Sequence, residues 1–276
     1  VSVNQEFTLA ELMIAAAARV WNDDGEVLAT GIGTGPRLAA GVSRLLHNPG
    51  LLMTDGEAYL VEQPVPLGRR EPGFKVRASG WMGYSRVFDC LWGGRRHAMV
   101  MPTQIDRFGQ ANISRLGGTQ TQPKKQLLGA RGFPGNSINH ANSFFVPAHS
   151  ARTFVKDEVD MVCSVGYNPA RHIEGMRSFA DLRVIVTNLC VMDFTGPDHA
   201  IRVRSLHPGV SLEEVRAATG FALANAADEA LPETPAPSAE ELAVIAKLDP
   251  HNQRAAIVRD NPPGRRAAVQ EATAAA

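Results

Sequence analysis

The chain has 276 residues, 44% of them hydrophobic and 20% charged, with 28 Lys plus Arg set against 28 Asp plus Glu. That length suits one α/β domain with appended segments, and the even charge balance excludes the electrostatic footprint of a nucleic-acid binder or a polybasic membrane anchor. Three widely spaced cysteines, Cys90, Cys163 and Cys190, argue against a disulfide framework or zinc knuckle. With no apolar run of about 18 residues and no export-signal pattern at the start, they lead us to expect a cytoplasmic protein.

In chain order, Thr8 with Glu11 three residues on forms a capping-box pair before the apolar series Leu9, Leu12, Met13, Ala16, Ala17 and Val20, which predicts an amphipathic helix ended by Asp23-Asp24-Gly25. A short strand at Val27–Ala29 then meets Gly31-Ile32-Gly33-Thr34-Gly35-Pro36, with Pro36 suited to the first turn of a helix reaching about His47. The run Leu51-Leu52-Met53-Thr54, ending at Asp55-Gly56-Glu57, reads as a buried parallel strand closing on a functional loop. Further strands are expected at His97–Met101, Ser143–Val146, Met161–Ser164 and Val184–Asn188. Alternation of this kind implies an α/β fold with a mostly parallel sheet and helices on both faces. Ser211 and Glu214 make a second capping pair. The expected division is an α/β domain over residues 1–228 and a proline- and alanine-rich extension over 229–276 that is partly disordered, with a helix from Ala239 to Leu248.

Several chemistries lack their motif. Gly31-x-Gly33-x-Gly35 does not have the dinucleotide-loop spacing, so tight strand-to-helix turning is the expected use. No phosphate-loop lysine motif, serine-hydrolase elbow or metal-type histidine spacing occurs, and no metal site is expected. Gly129-Ala130-Arg131-Gly132-Phe133-Pro134-Gly135-Asn136, followed by Asn139-His140, is more informative. Three glycines and a proline stiffen a loop whose arginine either faces a developing oxyanion or merely meets solvent; the polar run behind it favours a site. In Gln104-Ile105-Asp106-Arg107-Phe108-Gly109-Gln110, Asp106 is expected to shape the turn, while Gln104 is a neutral group of the kind that positions a substrate.

These pieces, in this order, resemble the β subunits of class I CoA-transferases, through His207-Pro208-Gly209-Val210 and over roughly residues 8–223. Within that superfamily the segments Leu52–Ala58, Trp92–His97, Arg131–His140 and Gly196–His199 are most similar to the β subunits of steroid ring-cleaving CoA-thioester hydrolases. The resemblance implies the CoA-transferase fold, an obligatory α subunit in an α2β2 assembly, and a CoA thioester as substrate, with no separate cofactor. It further implies hydrolysis of a ring carbon–carbon bond by an acidic base on the α subunit. Arg131 is then the expected catalytic residue of this chain, and Gly132, Pro134, Gly135, Asn136, Asn139, Gln104, Thr54 and Glu57 the expected substrate- or CoA-binding residues. True CoA-transferases carry a nucleophilic glutamate in the loop where this chain has Thr54 or Asp55, with Glu57 offset by two or three positions. Two alternatives follow: a 3-oxoacid or dicarboxylate CoA-transferase using Glu57, and a non-enzymatic effector-binding module, for which a DNA-binding segment is lacking.

Overall fold

The computed structural model describes residues 6–56, 58–174 and 180–266. Its first helix is set by the expected capping box: Thr8 Oγ1 accepts the Glu11 N–H at 3.3 Å, and the Glu11 carboxylate accepts the Thr8 N–H at 2.9 Å. α1 (Leu9–Ala18) follows, then β1 (Leu28–Gly31) and α2 (Thr34–Val42). The glycines between these last two serve close packing. A Cβ on Gly31 would stand 2.2 Å from the Pro36 carbonyl oxygen, and one on Gly35 would stand 2.6 Å from the Phe145 ring.

β2 (Tyr59–Val61) and β3 (Ala78–Trp81) form a hairpin whose second strand is exposed throughout, and α3 (Gly83–Trp92) comes next. After β4 (Arg96–Val100), β5 (Gln104–Ile105) pairs with β6 (Ala111–Asn112) and β7 (Arg115–Gly118) with β8 (Pro123–Gln126). The short helix α4 (Phe133–Asn139) enters β9 (Ala141–Val146) directly. β10 (Asp181–Thr187), β11 (Cys190–Asp193), β12 (Arg202–Leu206), α5 (Leu212–Ala217) and α6 (Ala239–Leu248) complete the chain.

The main sheet has the order β1-β4-β9-β10-β11-β12, parallel as far as β10 and antiparallel beyond it. Strand alternation feeds two cores. Met99, Phe145 and Val186 point to α1, α2 and α6, whereas Val100, Phe144 and Ile185 point to the side of Phe133, Phe154 and Val215. This is the α/β architecture with helices on both faces that the sequence implies.

Four expectations change. Leu51–Thr54 forms no continuous strand, only single bridges from Leu52 to Leu28 and from Thr54 to Leu60. Met161–Ser164 forms no strand; Ser164 alone bridges to Ala111. Ser211 caps α5 by accepting the Glu214 N–H, but the Glu214 carboxylate pairs with Arg266. The boundary near residue 228 does not separate two packing units. Glu233 bridges to Leu206, Thr234 bonds Ser205 and His207, and Ile245 and Leu248 of α6 are buried in the core with α1 and α2. The proline-rich spacer is therefore a strap across the domain as far as residue 266, and residues 267–276 lie outside the described part.

Candidate active site

Because β1, β4, β9 and β10 are parallel, their carboxyl ends Gly31, Val100, Val146 and Thr187 share one edge of the sheet. Leu52 pairs parallel with Leu28, which brings Thr54 to the same edge. α4 runs back along the sheet from that edge. Phe133 packs edge-on against Phe144, the partner of Val100 at the end of β4, while Asn136 bonds Arg96 at its beginning. Arg131 and Gly132 are thus delivered to the carboxyl edge, where open α/β sheets bind their ligands.

Arg131 is exposed, and its backbone φ of 50° is in the left-handed region that few non-glycine residues adopt. Its Nε donates to the Leu128 carbonyl at 3.3 Å, and among the described residues neither terminal nitrogen has a hydrogen-bond partner. Gly132 and Pro134 are exposed beside it, and Gly135 is half-buried. Thr54 Oγ1 accepts the Gly56 N–H, and the Asp55 carbonyl accepts from Arg37 at 3.2 Å. Glu57 lies outside the described residues. The rim also exposes Ile32, Trp81, Tyr84 and Leu128.

The remaining expected site residues are placed differently. Asn136 is buried, with its Oδ1 taken by Arg96 and its carbonyl by the Asn142 amide. Gln104 is buried too. Its amide donates to Asp160 at 2.9 Å and its oxygen accepts from Asn112 and the Asp160 N–H, so it braces the β5–β6 hairpin. Asn139 sits at the opposite, amino edge, where it lines a polar pocket of about 350 Å³ with Arg96, His97 and His140. Asp106 shapes its turn as expected, accepting the Phe108 and Gln110 N–H groups, and burial pushes its carboxyl upward. What sequence reasoning missed is Arg96, inward-facing at the start of β4, and the aromatic series Tyr84, Phe88, Trp92 on α3; the four-residue spacing of the latter was its available signal.

A second constellation has the order of a hydrolytic triad and is ruled out by burial. The Asp24 carboxylate accepts from His97 Nδ1 at 2.6 Å, and His97 Nε2 meets Ser143 Oγ at 2.9 Å. Burial pushes Asp24 up, but His97 and Arg183 outweigh it and hold the carboxyl below its ordinary value, while burial keeps the imidazole low and neutral. His97 and Ser143 are within 1% of complete burial, so no substrate reaches the hydroxyl. The network ties the turn after α1 to three strands. Among the described residues, no group of three or more His, Cys, Asp or Glu is placed to hold a metal ion, and no helix is long and apolar enough to cross a membrane.

No protein-family model matches the sequence. Individual proteins do. The chain is 31% identical over 250 residues to a subunit of the 3-oxoadipate CoA-transferase of Pseudomonas knackmussii, covering 88% of this chain and 94% of that one. Fold and sequence likeness together define a β-type subunit of the CoA-transferase fold. The cholesterol ring-cleaving hydrolase IpdB subunit of Rhodococcus jostii RHA1 is 41% identical over 250 residues, 90% of this chain and 95% of that subunit. The crystal structure of R. jostii IpdAB superposes with a TM-score of 0.81 at 40% identity, covering 92% of this chain and 99% of the other. The chain belongs to the family of cholesterol ring-cleaving hydrolase IpdB subunits.

Proposed function

We propose that this chain is the β-type subunit of a cytoplasmic α2β2 hydrolase that opens a carbocyclic ring of a steroid-derived CoA thioester. The observation that carries the reading is its likeness, over nine-tenths of its length, to ring-cleaving hydrolase subunits. The rim is consistent with half of a cleft: it offers a guanidinium at Arg131 and exposed apolar side chains, and an α-type subunit covers it and brings the acid.

In this mechanism a carboxylate of the α subunit takes a proton from water as the water oxygen bonds to a ring ketone carbon. Arg131 and the Gly132 turn at the start of α4 face the negative charge that develops on the ketone oxygen. The carbon–carbon bond then breaks, its electron pair delocalises into a neighbouring carbonyl, and the conjugate acid returns the proton. The product is a ring-opened carboxylic acid with CoA retained, and no cofactor beyond the substrate's own CoA enters.

The likeness to a 3-oxoadipate CoA-transferase subunit supports a second reading, CoA transfer through Glu57. One experiment separates the two. The chain is co-expressed with an α-type subunit and the complex is given a steroid-derived ring-ketone CoA thioester, with and without acetate or succinate. Addition of one water with CoA retained is the expected result. CoA appearing on the added acid, lost in Glu57→Ala, would replace hydrolysis with transfer.

A further inference from the structure

Helix α4 carries the Arg131 turn but is poorly equipped to hold itself in place. It has seven residues, and of these Phe133, Asn136 and Ser137 are buried, with Phe133 its one large apolar anchor. A single aromatic contact leaves a short helix free to tilt about it. The second anchor is polar and lies three residues further on, where Asn136 meets Arg96.

Arg96 is the first residue of β4, and alternation along that strand sends it to the α4 side while His97 points to Asp24 in the turn after α1. Its Nε donates to Thr30 Oγ1 on β1 at 3.0 Å, and its Nη1 donates to Asn136 Oδ1 at 3.2 Å. One planar group therefore bridges two strands and the helix. The Asn136 carbonyl, in turn, accepts the Asn142 amide at 3.0 Å, which ties the same residue to β9. Burial lowers the Arg96 guanidinium below its ordinary value, and among the described residues no carboxylate forms an ion pair with it. A mostly buried cation with neutral partners is an expensive way to fasten a helix, and an apolar side chain would do it more cheaply. What the guanidinium supplies is direction, because its rigid fork fixes the angle between strand and helix as well as their distance.

We infer that Arg96 is a positioning residue, acting through Asn136 to aim the Arg131 turn at the reacting oxygen. The inference rests on the ring-opening reading for its chemistry and on the bridge itself for its geometry. Misplacement of a catalytic group by about 1 Å costs on the order of a hundredfold in rate, so loss of the bridge lowers kcat while leaving the cleft able to bind.

The test uses the co-expressed two-subunit complex with Arg96→Met, Arg96→Lys, Asn136→Ala and Arg131→Ala, singly and with Arg131→Ala as background. Arg96→Met and Asn136→Ala are each expected to lower kcat at least about tenfold with KM changed less than about threefold. Neither should lower it further once Arg131 is alanine. Arg96→Lys, which keeps the charge but cannot fork, should recover part of the rate. Wild-type kcat in Arg96→Met, or an equal loss in the presence and absence of Arg131, overturns the proposal. Should Arg96→Met fail to assemble, Asn136→Ala decides by the same comparison.

Amide hydrogen exchange reads the geometry without turnover. Exchange at residues 130–136 should rise about tenfold in Arg96→Met with residues 141–146 unchanged, and an unchanged 130–136 segment counts against the bridge. If the wild-type complex transfers CoA instead of adding water, the hydrolase reading falls. The coupling between Arg96 and Arg131 is then scored on the transfer rate.

Discussion

α1 and α3 have the same length, ten residues, yet nine residues of α1 are buried and only Gly83 and Leu91 of α3. α1 is rich in alanine, which lets it lie close to α2 and the sheet, so its leucines and Met13 reach the core. α3 carries Tyr84, Phe88 and Trp92 at four-residue spacing, and all three face outward with Trp81 beside them. At ~150–250 Å² per aromatic side chain, and with each of the four between 54% and 71% exposed, the rings leave an apolar patch comparable to the largest that a monomer usually shows. One helix is used up by the fold; the other keeps its aromatic face outside it. α3 starts at the rim, where Met82 N–H bonds the Ala58 carbonyl next to the Thr54 turn, so the α-type subunit proposed above is its expected cover.

The largest effect expected on the covered side of this comparison is a pH effect. Burial pushes His140 and His207 down to about 4 and His149 down to about 3, from an ordinary 6.5. In the unfolded chain these imidazoles take up protons below about pH 6.5, whereas in the folded chain they stay neutral until pH approaches 4. Stability is complete above about pH 6.5 and falls through the window from there to about 4. At pH 5 each histidine contributes up to ~2 kcal/mol of that loss. Urea unfolding at pH 7 and pH 5 should show a drop of several kcal/mol, and unfolding at pH 5 should take up about three protons at His140, His149 and His207, with uptake at His97, also held low by burial, in addition. Uptake near zero would mean that the cavities admit protonated imidazole.

Leu12→Ala, at the fully buried centre of α1, should destabilise by about 2–5 kcal/mol in urea titrations, because the surrounding helices cannot collapse into the space. Arg131→Ala touches the rim instead. It should leave assembly intact and lower turnover at least about tenfold, equivalent to ~1.4 kcal/mol of transition-state stabilisation. An unchanged rate would leave Arg131 as a surface turn residue that meets solvent, the bland alternative its exposure permits.

The same contrast explains what can be read from the sequence. α1 is legible because a capping box and a long apolar series agree, and β9 is legible because burial on both faces leaves the apolar run Phe144-Phe145-Val146. α3 is harder to read, since the four-residue spacing of Tyr84, Phe88 and Trp92 signals a helix but that face stays outside this chain's core. α4 reads as a loop, for Phe133-Pro134-Gly135 suggests a turn, although a proline at the second helical position fits a first helical turn. The strap after residue 228 has the look of a tail because its attachments at Thr234, Ile245 and Leu248 are single residues scattered among prolines and charges. Of the site, the Arg131 turn stands out by composition, whereas Arg96 does not: an arginine ahead of a strand shows its role only once alternation and the Asn136 contact are known.

The smallest stability effect is expected for Phe88→Ala, and it is the sharpest test of the contrast. Phe88 is 54% exposed, so truncation removes little buried area, and alanine's better helix propensity returns up to ~0.5 kcal/mol of what is lost. The chain on its own should therefore change by at most about 1 kcal/mol in urea unfolding. Association with the α-type subunit should instead weaken at least about tenfold, read as dissociation of the complex on dilution, because a ring at the centre of a covered patch is desolvated only in the assembly. Were Phe88→Ala to destabilise the lone chain as much as Leu12→Ala does while leaving association untouched, α3 would belong to the fold after all, and the partner would have to cover the rim from another side.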